Sequence, residues 1–121
     1  MDQNSNNKRY DLEERTFQFA RDVAYYIKEL PKSFVTHEYC IQLVRSSGSV
    51  GANYIEANES LGKKDFLMRI RICRKEAKES AYWLKLILAS SDGQSPEKGQ
   101  KLFNEAEELK KIFSAIHEKS K

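Results

Sequence analysis

The groups through which this chain could do covalent, redox or metal chemistry are two histidines, two cysteines and eighteen carboxylates. They do not converge. His37 and His117 stand far apart, each near the end of a helical stretch. Cys40 and Cys73 have no second pair and no nearby histidine to complete the four ligands of a structural zinc site. Neither HExxH, GxGxxG nor a Walker loop occurs. Gly48-Ser49-Val50-Gly51 holds a serine between glycines, but the spacing is not that of a nucleophile elbow and the stretch has helical periodicity. Glu76-Ala77-Lys78-Glu79 has the i, i+3 spacing of a bundle di-metal site, with Glu where His is needed and no matching motif elsewhere. The expectation is a protein that is not an enzyme and holds no metal or cofactor.

Charge is the chemistry that does cluster. Lys and Arg number 21 against 18 Asp and Glu, a net +3. Residues 63–88 alone carry eight basic and three acidic side chains, so +5, while the preceding helical stretch carries one and three, so −2. On a helical wheel Lys64, Arg71, Arg74, Lys75, Lys78 and Lys85 fall on nearly one stripe. A basic stripe along one helix is an electrostatic footprint for nucleic-acid phosphate, against the plainer reading of a solvated face. Tyr82 alone interleaves an aromatic, so single-strand stacking has little support.

A second arc of the same helix holds Asp65, Met68, Ile72, Glu76, Glu79, Trp83 and Leu86. A solvent face has no need of Met, Ile, Trp and Leu together, and this composition is that of a subunit interface. Tyr25, Tyr26 and Ile41 add apolar surface that one small core does not easily bury. Gln42, Arg45, Ser49, Asn53 and Glu56 form a polar stripe on the preceding helix. Arg45 would suit a two-point contact to a carboxylate such as Glu76 or Glu79.

The elements that must carry these faces are helices. Only five Gly and two Pro occur, too few for a sandwich or barrel of this length. Residues 1–9 read as a disordered tail ahead of a single domain over 10–121. Leu12, Thr16, Phe17, Ala20, Val23, Ala24 and Ile27 repeat at helical spacing, and Pro31 ends that helix. Thr36 is the expected N-cap of the second helix, with Cys40, Leu43, Val44, Ser47, Val50, Gly51, Tyr54 and Ile55 on its inner arc. Gly48 and Gly51 each cost that helix about 1 kcal/mol relative to alanine, which suggests close approach of a neighbour.

Gly62 opens the third helix, which runs to about Ser90 on a core of Phe66, Ile70, Cys73, Ala77, Ala81, Leu84 and Leu88. After the turn Ser91-Asp92-Gly93-Gln94, Ser95-Pro96-Glu97 combines an N-cap, a first-position proline and a first-turn acid. The fourth helix follows on Leu102, Ala106, Leu109, Phe113 and Ile116, to about Glu118. Short links between four helices imply an all-α, antiparallel up-down-up-down four-helix bundle. The longest apolar runs, such as Leu86-Ile87-Leu88, span three residues, so no membrane helix is expected. The polar start carries no export signal, so the cysteines are expected to be free thiols in a cytoplasmic protein.

Three stretches carry a resemblance. Leu30-Pro31-Lys32-Ser33-Phe34, then Gln42-Leu43-Val44-Arg45-Ser46 with Ser49-Val50-Gly51-Ala52-Asn53-Tyr54-Ile55-Glu56-Ala57, then Lys63-Lys64-Asp65-Phe66 with Arg74-Lys75-Glu76-Ala77-Lys78-Glu79-Ser80-Ala81-Tyr82-Trp83-Leu84 are similar to the family encoded in intervening sequences of bacterial 23S rRNA genes. The resemblance implies a small cytoplasmic four-helix bundle that assembles as a homopentamer and often presents a basic surface. A related branch includes the accessory variability protein of diversity-generating retroelements, which works with a reverse transcriptase and RNA. The resemblance thus implies self-association, RNA or DNA as a ligand, and a protein such as a reverse transcriptase as a partner. The alternative is an oligomeric adaptor that docks proteins and has no nucleic-acid role.

Overall fold

The computed structural model describes residues 2–90 and 96–121, with side chains from Asp11 onward. Four helices make up the described chain: α1 (Asp2–Lys28), α2 (Phe34–Asn58), α3 (Lys63–Ser90) and α4 (Pro96–Ser120). α1 runs through the segment read as a tail. No Gly or Pro interrupts residues 2–10, and extending an existing helix is far easier than starting one. At its other end Glu29 N–H donates to Tyr26 O (3.0 Å) and Leu30 N–H to Ile27 O (3.1 Å), the tightened last turn of a helix halted by Pro31.

α2 is capped three residues before the expected N-cap, Thr36. Its N-cap is Ser33, extended at φ −133° and ψ 161°, whose hydroxyl accepts from Thr36 N–H at 3.1 Å. Both residues are capping types, and the one nearer Pro31 takes the role because the chain is already extended there. α3 begins after Gly62, whose carbonyl accepts from Phe66 N–H at 3.0 Å. α4 begins at Pro96 as expected; the turn at 91–94 and the cap Ser95 lie outside the described residues. His117 and Lys119 sit in its last turn, where the helix dipole favours cations.

Each helix packs on its neighbours in sequence and α1 closes on α4, giving the antiparallel four-helix bundle. The α2–α3 and α3–α4 seams are the most extensive and the α1–α4 seam the loosest. α2 buries Cys40, Ser47 and Tyr54 at one seven-residue interval and Leu43, Val50 and Ala57 at another. That interval is the one that wraps helices with a left-handed twist. α3 buries Ile70, Cys73, Ala77, Ala81 and Leu84 as expected, and also Ser80 and Ile87; Phe66 and Leu88 stay half-buried. Leu43, Ile70, Leu84, Ile87, Leu109 and Phe113 are fully enclosed, each contributing about 1.5–3 kcal/mol of transfer free energy.

Two helices differ in phase from the expected core. α1 buries Leu12, Thr16, Phe19, Val23 and Tyr26, and Leu30 just past its end, leaving Phe17 59% exposed. Tyr26, expected at the surface, is 2% exposed, whereas its neighbour Tyr25 lies outside. In α2, Val44 and Ile55 are exposed and Ser46 and Ala57 take the inner positions. Both helices carry apolar residues on two faces, so periodicity alone does not fix which face turns inward.

The buried threonine and serine hydroxyls find partners inside the bundle, whereas the Tyr26 hydroxyl has none among the described residues. Thr16 Oγ1 donates within α1, with Leu12 O at 2.9 Å and Glu13 O at 3.0 Å. Ser80 Oγ lies 2.9 Å from both Ser46 Oγ and Glu76 O, tying α3 to α2. Arg15 grips Glu105 through two bonds of 2.7 and 2.9 Å, and Lys98 meets Glu29 at 2.8 Å, so two half-exposed ion pairs span the loose α1–α4 seam.

Candidate nucleic-acid interface

The basic stripe lies where the wheel placed it. Lys64, Arg71, Lys75, Lys78 and Lys85 are exposed and Arg74 is half-buried. None of the six makes an ion pair within 4 Å among the described residues. Their charge is therefore available to a ligand. Lys64, Arg71, Arg74, Lys75 and Lys78 line one open groove of about 1240 Å³, while Lys85 stands beyond it toward the end of α3.

α4 completes the groove. Lys110, Ser114 and His117 line its other side, and Leu67, Met68 and Ile72 contribute apolar surface. Lys110 is paired with Glu107 at 3.0 Å, so α3 supplies the unneutralised charge. The α4 residues were not legible beside the stripe, although 110, 114 and 117 stand at helical spacing. Only the packing register of α3 on α4 brings them to it.

The second arc of α3 divides. Met68 is 48% exposed, and Glu79 and Arg45 are exposed as well. Ile72, Glu76, Trp83 and Leu86 are half-buried. Trp83 packs on the rim of the core, its ring 6.1 Å from that of Tyr39 and 5.3 Å edge-on from Tyr82. The arc is thus less bare than its composition implies, with Met68 its most open apolar residue.

The polar seam between α2 and α3 forms through a different arginine. Arg69 Nη1 donates to Asn53 Oδ1 at 3.0 Å, and Asn53 Nδ2 donates to Ser49 O at 2.9 Å. Arg45 closes no ion pair with Glu76 or Glu79 among the described residues and acts on Glu76 from a distance. Desolvation and then the neighbouring Glu79 raise the Glu76 pKa, while Lys75 and Arg45 pull it down. Both thiols are buried and free, and burial pushes Cys73 to about 12. Such thiols are packing groups, without the thiolate that nucleophilic chemistry needs.

Among the described residues no three His, Cys, Asp or Glu side chains gather where a metal ion could sit. No helix among them is long and apolar enough to cross a membrane.

These features have relatives. A crystal structure of a protein of unknown function from the S23 ribosomal protein family of Bacteroides thetaiotaomicron matches the fold with a TM-score of 0.76 and 30% sequence identity, covering 87% of this chain and 96% of that one. No curated protein matches the chain. Residues 8–115 match the family model of the 23S rRNA-intervening sequence proteins, nearly the whole chain, and the protein belongs to that family.

Proposed function

We propose that the protein is a non-enzymatic, cytoplasmic homo-oligomer, pentameric as its family resemblance implies, that binds RNA or DNA through the α3–α4 groove. The observation that carries this is the set of five cations lining one groove with no ion pair among the described residues: Lys64, Arg71, Arg74, Lys75 and Lys78. Phosphates entering it replace condensed counterions with fixed ammonium and guanidinium groups, and the released ions drive binding. Arg74 and Arg71 can grip a phosphate by two points, whereas the lysines act as mobile point charges. Recognition is of backbone rather than base, because the aromatics of α3 lie off the groove and Trp83 is held by Tyr39.

The test is fluorescence anisotropy of a labelled RNA and a labelled DNA duplex across a salt series. Affinity should fall linearly in log–log form, with a slope for the duplex of about −0.9 per phosphate contacted. The triple charge reversal Arg74→Glu, Lys75→Glu and Lys78→Glu should flatten that slope and cost at least about tenfold at low salt. Unchanged binding by the triple variant overturns the assignment. Recovery of one protein partner after nuclease treatment, with no affinity for RNA or DNA, would instead identify a protein-docking adaptor.

A further inference from the structure

The link between α1 and α2 forms an open pocket apart from the α3–α4 groove. Its volume is about 620 Å³, within the range of small-molecule sites. Leu30 and Cys40, both buried, make its floor, and Ile27, Pro31 and Phe34 wall it.

The link is held in place without a ligand. The Ser33 hydroxyl accepts from Thr36 N–H, His37 N–H donates to Ser33 O at 2.9 Å, and Leu30 N–H closes on Ile27 O at 3.1 Å. Pro31 fixes the backbone between the two helices. A molecule entering the pocket therefore has little chain to order. Turning the chain here needs Pro31 and Ser33, but it does not need an aromatic at the mouth. Phe34 is 84% exposed, the most open aromatic side chain among the described residues. An occupant of the pocket would cover part of that ring and return its apolar surface from water.

The charges around the pocket have one sign. Lys28, Lys32 and His37 stand at its exposed rim, and no carboxylate lines it. Neither lysine closes an ion pair within 4 Å among the described residues. Lys28 Nζ lies 5.8 Å over the Tyr25 ring, a contact that leaves its charge in place. Glu29, next in sequence, is drawn to Lys98 of α4 at 2.8 Å. Burial raises the Cys40 pKa, so its thiol brings no negative charge to the floor. The His37 ring offers an N–H donor in either protonation state. An apolar interior under a cationic rim complements a molecule with an apolar body and one anionic head. A nucleic-acid backbone has no apolar segment for these walls, and the groove assigned to it lies toward the opposite end of the bundle.

We propose that this pocket binds a small amphipathic carboxylate, with its apolar chain against Ile27, Leu30 and Phe34 and its head on the Lys28 and Lys32 ammonium groups. The site is independent of the nucleic-acid reading, and either can fail without the other.

The test is isothermal titration of the protein with sodium octanoate and, as the uncharged counterpart, octanol, with helicity checked by circular dichroism. The native chain should bind one octanoate per subunit, about fivefold or more tightly than octanol. The double charge reversal Lys28→Glu with Lys32→Glu should weaken octanoate about tenfold or more and leave octanol unchanged. Thr36→Trp, which fills the pocket from its wall, should lose both ligands. If that variant loses helicity, Phe34→Ala takes its place, and it should weaken both ligands because the ring at the mouth is gone. Equal affinity for octanoate and octanol overturns the role of the cationic rim. Octanoate binding that survives the double charge reversal overturns the assignment to this pocket. A native chain that binds neither molecule overturns the site altogether.

Discussion

Tyr26 is an unresolved expense in the core. Its ring fills the space between α1 and α4, and its hydroxyl has no hydrogen-bond partner among the described residues. The phenol fits because position 99 is glycine; a Cβ there would overlap the hydroxyl and stand 2.7 Å from Leu88 Cδ2. A buried, unbonded hydroxyl costs about 1–3 kcal/mol, and phenylalanine keeps the ring while removing it. Tyr26→Phe should therefore stabilise the protein by about 1 kcal/mol in urea denaturation, and a comparable loss would mean that the hydroxyl is bonded after all. Glu76 shows the same desolvation cost in a titratable group. Its folded pKa is raised, first by burial and then by Glu79. Between the unfolded and folded values the native state holds the proton more tightly, so stability falls as pH rises through that window and stays lower above it. Glu76→Gln should raise the thermal midpoint at pH 7 and lose that advantage near pH 3, below both the folded and the unfolded pKa, where the wild-type carboxyl is protonated in both states. A gain that persists at pH 3 would place its origin outside the titration.

At the scale of the element, the two glycines of α2 predict opposite outcomes. Thr16 cannot easily yield to a Cβ at Gly51, because its side chain is β-branched and its hydroxyl is committed to Leu12 O and Glu13 O. Gly51→Ala gains about 1 kcal/mol of helix propensity and meets an overpacking penalty of about 1–3 kcal/mol, for a net loss. Gly48→Ala meets no atom within 4 Å and should gain about 1 kcal/mol. Both are measured by urea denaturation; equal effects would mean that α1 and α2 are not held at the distance that sets a Gly51 Cβ 2.9 Å from Thr16 Oγ1. The same helix shows what the sequence makes legible. α3 and α4 could be placed closely because Gly62 and Pro96 mark their starts, and because the second apolar arc of α3 carries the charges Asp65, Glu76 and Glu79 that its core stripe lacks. In α1 and α2 two apolar faces compete. Phe17 competes with Phe19, and Val44 and Ile55 with Ser46 and Ala57, so hydrophobicity identified the helices but not the faces they turn inward. The basic stripe was visible because its residues lie on one helix. Its partners Lys110, Ser114 and His117 lie on another and join it only through packing.

For the whole molecule, the consequence of the proposed self-association is multiplication. One subunit carries a formal charge of +3, a weak attraction for a polyanion, yet residues 63–88 concentrate +5 on one side. A ring repeats that side once per subunit, and a long strand held by one groove meets the next at high local concentration. A short strand can occupy only a single groove. The two ligands therefore separate assembly from local chemistry. A strand of about eight nucleotides should bind with the affinity of a single groove, whether the protein is held below or above the concentration at which it assembles. A strand several times longer should bind the assembled protein about 100-fold or more tightly than the short one, with a correspondingly steeper salt dependence. If both strands bind equally tightly, the grooves act singly and assembly serves some purpose other than avidity.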